Sequence, residues 1–477
     1  MSSSKRDPET PRRAIETEPL VNNQDHHSST STETIWDDAK DTILLGIPIF
    51  LAMFSWVGMK TTDTALLGHV SADALAAAAL SDLWTMCSAV FIQARVLGVL
   101  CGAAIGAGNP KLAGVYLQVS YYVLGFVCIF VIFCWYLTEY VWKAFGSDPA
   151  ICEMAGYYAR VLAWSIPGQL AFAQLSQFFS SQRIMHPEVT AASVALIINL
   201  VFGLVLVLGI PVPGFAGYGF EACPIVTACV VYVQLLFVCY IYIYKKRLHE
   251  PCWDGWNYQA ITKDRMHVFC DLYFPAALGM ASDFWRVAVV GAMAAKLGEQ
   301  EVAVFNTSYR IMWIVLIVVN ALSSAAGIKM SMRLGRMDHE GAKQAGEVGI
   351  AMSAMVLAVI GVAVLGKVRW FGRIFTNDAA FLDLFEETRI PFTITLVLMN
   401  LSVAIERIPY SMGRTKEVFW LGFIASWGAQ VPAVTLLTKY WRDDLVGLYT
   451  GMAFGYFVLA VLYGWVTLTR YVLWEEI

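Results

Sequence analysis

The sequence predicts an all-α membrane protein whose twelve transmembrane helices form two six-helix bundles. Three observations lead to this fold class. Hydrophobic residues make up 58% of the 477 residues and charged residues only 15%, below the ~25% charged residues of a typical soluble domain. Long apolar runs recur along the chain. The pattern of the first half also returns in the second half, about 229 residues later.

The apolar runs predict helices rather than barrel strands. They are unbroken, as in residues 123–137, whereas a barrel strand shows about ten residues of alternating polarity. Each of twelve segments is long enough to cross ~30 Å of hydrocarbon. We place them near residues 41–66, 74–105, 111–137, 151–179, 189–210, 220–244, 267–295, 302–328, 342–366, 387–408, 417–438 and 445–470.

The polar segments divide the chain into four parts. Residues 1–38 are rich in Ser, Thr, Glu and Asp and predict a disordered cytoplasmic tail. An N-terminal lobe (39–244), a cytoplasmic linker (245–266) and a C-terminal lobe (267–477) follow. Basic residues concentrate on the side of the tail, which predicts that both termini are cytoplasmic. Examples are Lys245, Lys246, Arg247, Lys329, Arg333 and Arg336.

An internal repeat relates the two lobes. Gly106 falls on Gly335 and Glu188 on Glu417, while Pro48 falls near Pro275. These two prolines are expected to open equivalent helices. An even number of spans per half gives both halves the same orientation, and parallel repeats of this kind are a transporter architecture.

Several stretches resemble motifs of the multidrug and toxic compound extrusion (MATE) family. They are LLGHVSADALAAAAL (66–80), LCGAAIGAG (100–108), SSAAGIKMSMRLG (323–335), MGRTKEV (412–418) and VGLYTGMAFG (446–455). Their order and spacing match the family over residues 40–470. The resemblance implies a two-lobed antiporter that exports organic cations or other amphiphilic compounds in exchange for H⁺ or Na⁺. No other cofactor and no metal are expected.

Asp283 is the first candidate for the transport site. It lies in the middle of the seventh span among apolar residues, and ionisable residues inside a membrane mark transport pathways and proton relays. The resemblance also matches it to an acidic residue of the family's seventh helix. We expect it to couple to protons and to bind a cationic substrate, with Trp285 stacking on the cation. Arg286 lies on nearly the same face, and the two residues alternatively form a neutral structural pair.

Asp63 is the second candidate, late in the first span. It matches the aspartate with which prokaryotic members bind a cation or proton, and Asn199 matches their asparagine on the fifth helix. Gly203 stands where those members carry another aspartate. The alternative for Asp63 is a solvated acid near a helix end, and Asp82 is expected to pair with Lys60.

Further polar residues in the spans are Gln174 and Tyr309, which we expect to contact substrate or to join helices. The sequence departs from the family at Gly98, where many eukaryotic members carry an acid, and at Met399 and Asn400 in the tenth span. These departures predict an unusual site.

Three other functions are alternatives to the antiporter. A lipid-linked oligosaccharide flippase needs a basic cavity, for which Arg95, Arg160, Arg286 and Arg310 are candidates. A major-facilitator carrier lacks support because its basic loop motif is absent after the second span. A membrane transferase needs an aspartate-rich motif or a catalytic His–Asp pair, and no histidine has such a setting. We therefore expect no enzyme and no nucleic-acid binding, but a monomeric transporter of the plasma or vacuolar membrane.

Overall fold

At several helix starts a polar side chain caps the first turn. Ser71 accepts a hydrogen bond from the backbone N of Ala74 (3.0 Å). Asn109 and Asp148 cap their helices in the same way, and a proline follows each. Such caps satisfy backbone N–H groups that have no partner inside the helix.

The structure, a computed structural model, describes residues 34–475. The regular elements of this range are all helical, as predicted. The helices of the first half are α1 (Ile35–Val70), α2 (Ala72–Gly106), α3 (Pro110–Tyr136), α4 (Pro149–Ala163 and Ile166–Ser181), α5 (His186–Leu208) and α6 (Gly219–Lys245). Those of the second half are α7 (Lys263–Leu297), α8 (Glu299–Gly335), α9 (His339–Arg373), α10 (Arg389–Ser411), α11 (Thr415–Tyr440) and α12 (Leu445–Glu475).

Each of the twelve predicted spans has a counterpart among these helices. Within the described range, ten are long and apolar enough to cross a membrane. The other two are α4, which is broken at Trp164 and Ser165, and α7, which is long but rich in charged residues. The fold class is therefore the predicted one.

The start of α1 differs from the prediction. Residues 1–33 of the predicted tail lie outside the described residues, but the helix already begins at Ile35. Thr34 accepts a hydrogen bond from the backbone N of Asp37 (3.3 Å), and Asp38 is fully buried in the first turn. The residues next to the tail are helical because this buried carboxylate is held by several basic and polar partners on α8 and α9.

The described residues form two compact units. The N-terminal unit is Ile47–Ala277, and the C-terminal unit contains the residues up to Gly46 together with those from Leu278 onward. The predicted lobes instead divide at the linker. The difference arises because Asp38 binds α8, and because the Tyr273 hydroxyl on α7 donates to the carbonyl of Phe91 on α2 (3.0 Å).

The two repeat prolines lie within helices rather than at their starts. Pro48 is inside α1 and Pro275 inside α7, each roughly three turns from the helix start. The prediction that they open the helices is wrong. Each lies close to the point where its helix passes from one unit to the other, and an interior proline removes a helix hydrogen bond. These points therefore favour bending.

The linker is folded onto the N-terminal unit. Lys111 on α3 binds Asp254 (2.6 Å) and donates to the carbonyl of Glu250 (3.0 Å). Gln118 donates to the carbonyl of Gly255 (3.0 Å). A Cβ at position 114 would lie 2.2 Å from the carbonyl oxygen of Cys252, so only glycine permits this close approach.

Candidate functional site

A buried carboxylate joins α1, α5 and α6 in the N-terminal unit. Asp63 is 3% exposed. One carboxylate oxygen accepts from Nδ2 of Asn199 on α5 and the other from Oγ1 of Thr227 on α6, both at 2.9 Å. Asp63 forms no ion pair within the described residues. Buried charges are normally paired. Asp63 is an exception, because it is held only by neutral donors.

A separate ion pair lies one helical turn from Asp63. Lys60 Nζ is 3.0 Å from Asp82 Oδ1, as predicted, and both side chains are about one-third exposed. Asp63 also interacts with Tyr158 and Cys223, which are both buried and uncharged. The predicted alternative, that Asp63 is a solvated acid, does not fit its burial.

An aspartate at position 203, where the resemblance places one in prokaryotic members, would require the side chain of Leu66 to move. A Cβ there would lie 2.4 Å from Cδ1 of Leu66. Thr227 supplies a hydrogen bond to Asp63 instead. The polar cluster around Asp63, which lacks an acid at Gly203, therefore gains a hydrogen-bond donor from α6.

A buried guanidinium joins α7, α11 and α12 in the C-terminal unit. Arg286 is 6% exposed, and its Nη1 donates to Oε1 of Gln430 on α11 (2.5 Å). Its Cζ lies 4.8 Å from the ring centre of Tyr456 on α12. Gln430 in turn donates to the carbonyl of Met452 (3.3 Å). Arg286 Nε is buried without a partner in the described structure.

Asp283 pairs with this guanidinium. Its Oδ1 lies 3.1 Å from Arg286 Nη2, and its side chain is 55% exposed against 7% for Arg286. The pair foreseen from the sequence is therefore formed. Because the exposed partner is the acid, Asp283 presents the negative end of the pair at the surface of the unit.

The two buried groups lie on equivalent helices and have opposite charge, but Asp63 and Arg286 are 223 residues apart, six short of the repeat interval. Asp63 is held from the fifth and sixth helices of its half, and Arg286 from the fifth and sixth helices of the second half. Thr227 and Tyr456 are separated by the repeat interval of about 229 residues. The helix arrangement is thus repeated while the sign of the central charge is reversed.

The other predicted contacts divide between the units. Tyr309 is partly buried, stacks on Phe305 (5.9 Å) and lies within electrostatic reach of Arg286. Gln174 is fully buried, and both of its amide atoms have no partner among the described residues. Trp285 is 45% exposed. Because it lies two residues from Asp283 on the same helix, its side chain points to a different face.

The basic residues on which the flippase alternative depends are mostly neutralised. Arg95 pairs with Glu188 (2.9 Å), Arg160 with Glu139 (2.8 Å) and Arg286 with Asp283 (3.1 Å).

Sequence reasoning missed Thr227, Gln430 and Tyr456. Each is a polar residue inside an apolar helix, which is a general signal for an interhelical contact. The repeat interval between Thr227 and Tyr456 was a second signal. Gln430 carried no sequence feature that distinguished it from the other glutamines of the spans.

The family model described as MatE matches residues 48–205 and 275–435, which together are more than half of the chain. The chain belongs to the MATE family. Its two matched stretches begin at Pro48 and Pro275, the prolines that the internal repeat relates. MATE proteins are membrane transporters, so this chain is a multi-pass membrane transporter and not an enzyme.

Relatives in the MATE family span most of the chain. An uncharacterized transporter of Schizosaccharomyces pombe, C4B3.13, is 23% identical over 446 residues, 93% of this chain and 81% of that protein. Multidrug and toxin extrusion protein 2 of Oryctolagus cuniculus is 25% identical over 90% of this chain and 70% of that protein. The crystal structure of a eukaryotic MATE transporter, AtDTX14, has a TM-score of 0.82 over 93% of this chain and 99% of that one, at 19% identity.

Proposed function

We propose that this transporter exports organic cations or amphiphilic metabolites in exchange for protons, by alternating access. The observation that carries the proposal is Asp63, a buried carboxylate that only Asn199 and Thr227 hold. An acid without a basic partner can change its protonation without leaving a buried cation behind. Lys60 and Asp82 neutralise each other nearby, so the charge of this part of the unit depends on Asp63.

We assign Asp283 to the substrate. Its carboxylate is more than half exposed, and it is anchored by Arg286 beneath. Tyr309 interacts with the same pair and is assigned to the substrate site as well. Gln174 and Asn199 are assigned as the polar substrate contacts of the N-terminal unit. The relative from Oryctolagus cuniculus is named a multidrug and toxin extrusion protein, which supports a broad range of organic substrates.

In this proposal a proton binds Asp63 while the carrier is open to the outside and dissociates toward the cytoplasm. The change in charge alters the balance between the two conformations, and substrate moves in the opposite direction. A bound ligand shifts such an equilibrium only through its different affinity for the two states. Na⁺ is the alternative coupling ion, and we expect a monomer in a plasma or vacuolar membrane with cytoplasmic termini.

The test uses the full chain in proteoliposomes with tetraethylammonium as the probe cation. An imposed pH gradient should drive uptake, and an imposed Na⁺ gradient should not. Asp63→Asn should abolish the part of uptake that depends on the pH gradient. Asp73→Asn, which changes an exposed acid in the first turn of α2, is the matched control. Gradient-driven uptake that survives in Asp63→Asn would refute the assignment.

A further inference from the structure

The end of α6 carries a wide helical turn that is rich in aromatic and basic residues. Cys239–Lys245 form a π-helix, in which the backbone N of Lys246 donates to the carbonyl of Ile241 (2.9 Å). Such turns are rare and occur frequently at functional sites. The segment reads CYIYIYK and is followed by Lys246 and Arg247. Three tyrosines and three consecutive cations are therefore concentrated at this end of the helix.

The turn is held in place on both sides. Tyr242 is 4% exposed, and its hydroxyl lies 2.8 Å from Oγ1 of Thr190 on α5. Lys246 Nζ lies 4.8 Å from the centre of the Tyr242 ring. The linker that follows the turn is fixed by Lys111, whose Nζ donates to the carbonyl of Glu250 (3.0 Å). A ligand at this turn therefore meets a preorganised surface, which lowers the entropy cost of binding.

The other two tyrosines of the turn face outward. Tyr240 and Tyr244 are 55% and 74% exposed, and their rings stack at 6.0 Å. Lys245 Nζ lies 4.9 Å from the centre of the Tyr240 ring. Exposed aromatic rings with a polar tip are typical of the layer where lipid headgroups meet the hydrocarbon. The rings and the ammonium group thus form one amphipathic patch.

The length of α6 brings this patch to the headgroup layer. The helix has 27 residues, which extend about 40 Å in an α-helix, whereas the hydrocarbon core is ~30 Å thick. The excess length is accommodated by tilt or by projection of the helix ends. The exposed tyrosines and lysines in the last turn therefore project toward the lipid headgroups.

The cations of the patch have few acidic partners. Arg247 lies 3.4 Å from Glu250, and both side chains are more than half exposed, so this pair is weak. Asp254, the next acid along the chain, is bound to Lys111 (2.6 Å). Lys245 and Lys246 contact tyrosine rings and form no ion pair among the described residues. Two ammonium groups are therefore available to an anion.

We propose that the end of α6 binds the phosphate-containing headgroup of an anionic phospholipid. Lys245 and Lys246 neutralise the charge of the headgroup, while Tyr240 and Tyr244 lie against the glycerol and the first carbons of the acyl chains. This end of α6 is on the side that we propose to be cytoplasmic, and clusters of basic residues on that side attract anionic lipids. The lipid site does not depend on the proposed antiport.

The test is native mass spectrometry of the purified full chain with added phosphatidylserine or phosphatidylcholine. The wild-type chain should retain phosphatidylserine more strongly than phosphatidylcholine. Lys245→Gln combined with Lys246→Gln should weaken binding of phosphatidylserine roughly 30-fold (~2 kcal/mol), because each cation near an anionic lipid contributes a similar amount. Lys245→Arg combined with Lys246→Arg should keep the binding, since both charges remain.

The matched control is Lys367→Gln combined with Lys439→Gln, which removes two exposed lysines near the ends of α9 and α11. Lys439 also lies over a tyrosine ring (5.3 Å), yet this control should bind phosphatidylserine like the wild-type chain. Glycerophosphoserine, the same headgroup without acyl chains, should not displace the lipid at equal concentration. Equal retention of the two lipids, an equal loss in the control, or displacement by glycerophosphoserine overturns the inference.

Discussion

The buried ion cluster at the start of α1 allows a quantitative prediction. Asp38 is fully buried and accepts two hydrogen bonds from Arg333, at 2.7 and 2.9 Å. Lys329, which is 4% exposed, lies 2.5 Å from the same carboxylate, and Gln344 donates to it at 2.7 Å. Three polar side chains of the C-terminal unit therefore depend on one negative charge.

Asp38→Asn keeps the shape of the side chain and removes this charge. Lys329 then keeps the carboxylate of Asp41, at 3.3 Å, and the backbone carbonyl of residue 38, at 3.0 Å, while Arg333 loses the carboxylate of Asp38. Breaking a buried pair costs ~3–5 kcal/mol, and we expect a loss of that size in the free energy of unfolding. Asp37→Asn, one residue away but exposed, should cost only ~0.5 kcal/mol. Equilibrium unfolding in mixed micelles with increasing SDS measures both values.

The double variant Asp38→Asn with Lys329→Gln tests the electrostatic origin of the loss. Asp38→Asn leaves the buried charge of Lys329 without this partner, whereas the double change removes both charges of the pair and leaves only that of Arg333. The double variant should therefore be more stable than the sum of the single losses predicts, by ~0.5–3 kcal/mol. Additive losses, or a cost for Asp38→Asn no larger than that for Asp37→Asn, would refute the reasoning.

Two further predictions concern close packing and pH. At Gly455 on α12 a Cβ would lie 2.1 Å from Cβ of Gln430 and 2.7 Å from its Cα. Gly455→Ala should cost ~1–3 kcal/mol in the same unfolding assay and impair transport through Gln430, whereas Gly464→Ala, which has open space, should cost neither. Glu139 accepts hydrogen bonds from Lys143 and from Arg160, which hold the pKa of this carboxyl below its usual value. Its stabilisation is present above the ordinary pKa of glutamate and is lost as the pH falls through the lowered value. Glu139→Gln should thus reduce the loss of melting temperature at acidic pH, while Glu153→Gln, an exposed neighbour, should leave that loss unchanged.

The helices were predictable because composition and length determine them in a membrane. Ten of the twelve spans are apolar enough to be found by hydropathy alone. The remaining spans, α4 and α7, were also recognised as apolar segments, although α4 is broken at Trp164 and Ser165 and α7 is rich in charged residues. The points where α1 and α7 pass between the units were not predictable. They depend on contacts such as Asp38 with Arg333 and Tyr273 with Phe91, which join residues distant in the sequence.

The candidate site was predictable only for residues with an unusual local setting. Asp63, Asp283 and Arg286 are charges inside apolar runs, and spacing on one helix was enough to foresee the pair at 3.1 Å. Thr227 and Gln430 are ordinary polar residues, and only their geometry shows which charged group each one holds.

The reversed charges of the two halves separate what the fold fixes from what single residues decide. The corresponding three helices of each half surround a buried charged side chain, although Asp63 and Arg286 are not at equivalent positions of the repeat. A charge placed there must be satisfied by donors or acceptors on the neighbouring helices: Asn199 and Thr227 serve an acid, and Gln430 and Tyr456 serve a base. The sign of the buried charge in each unit therefore depends on a few side chains of these helices. Because function resides in such sites rather than in the fold, the proposed proton coupling depends on Asp63, the buried acid that Asn199 and Thr227 hold.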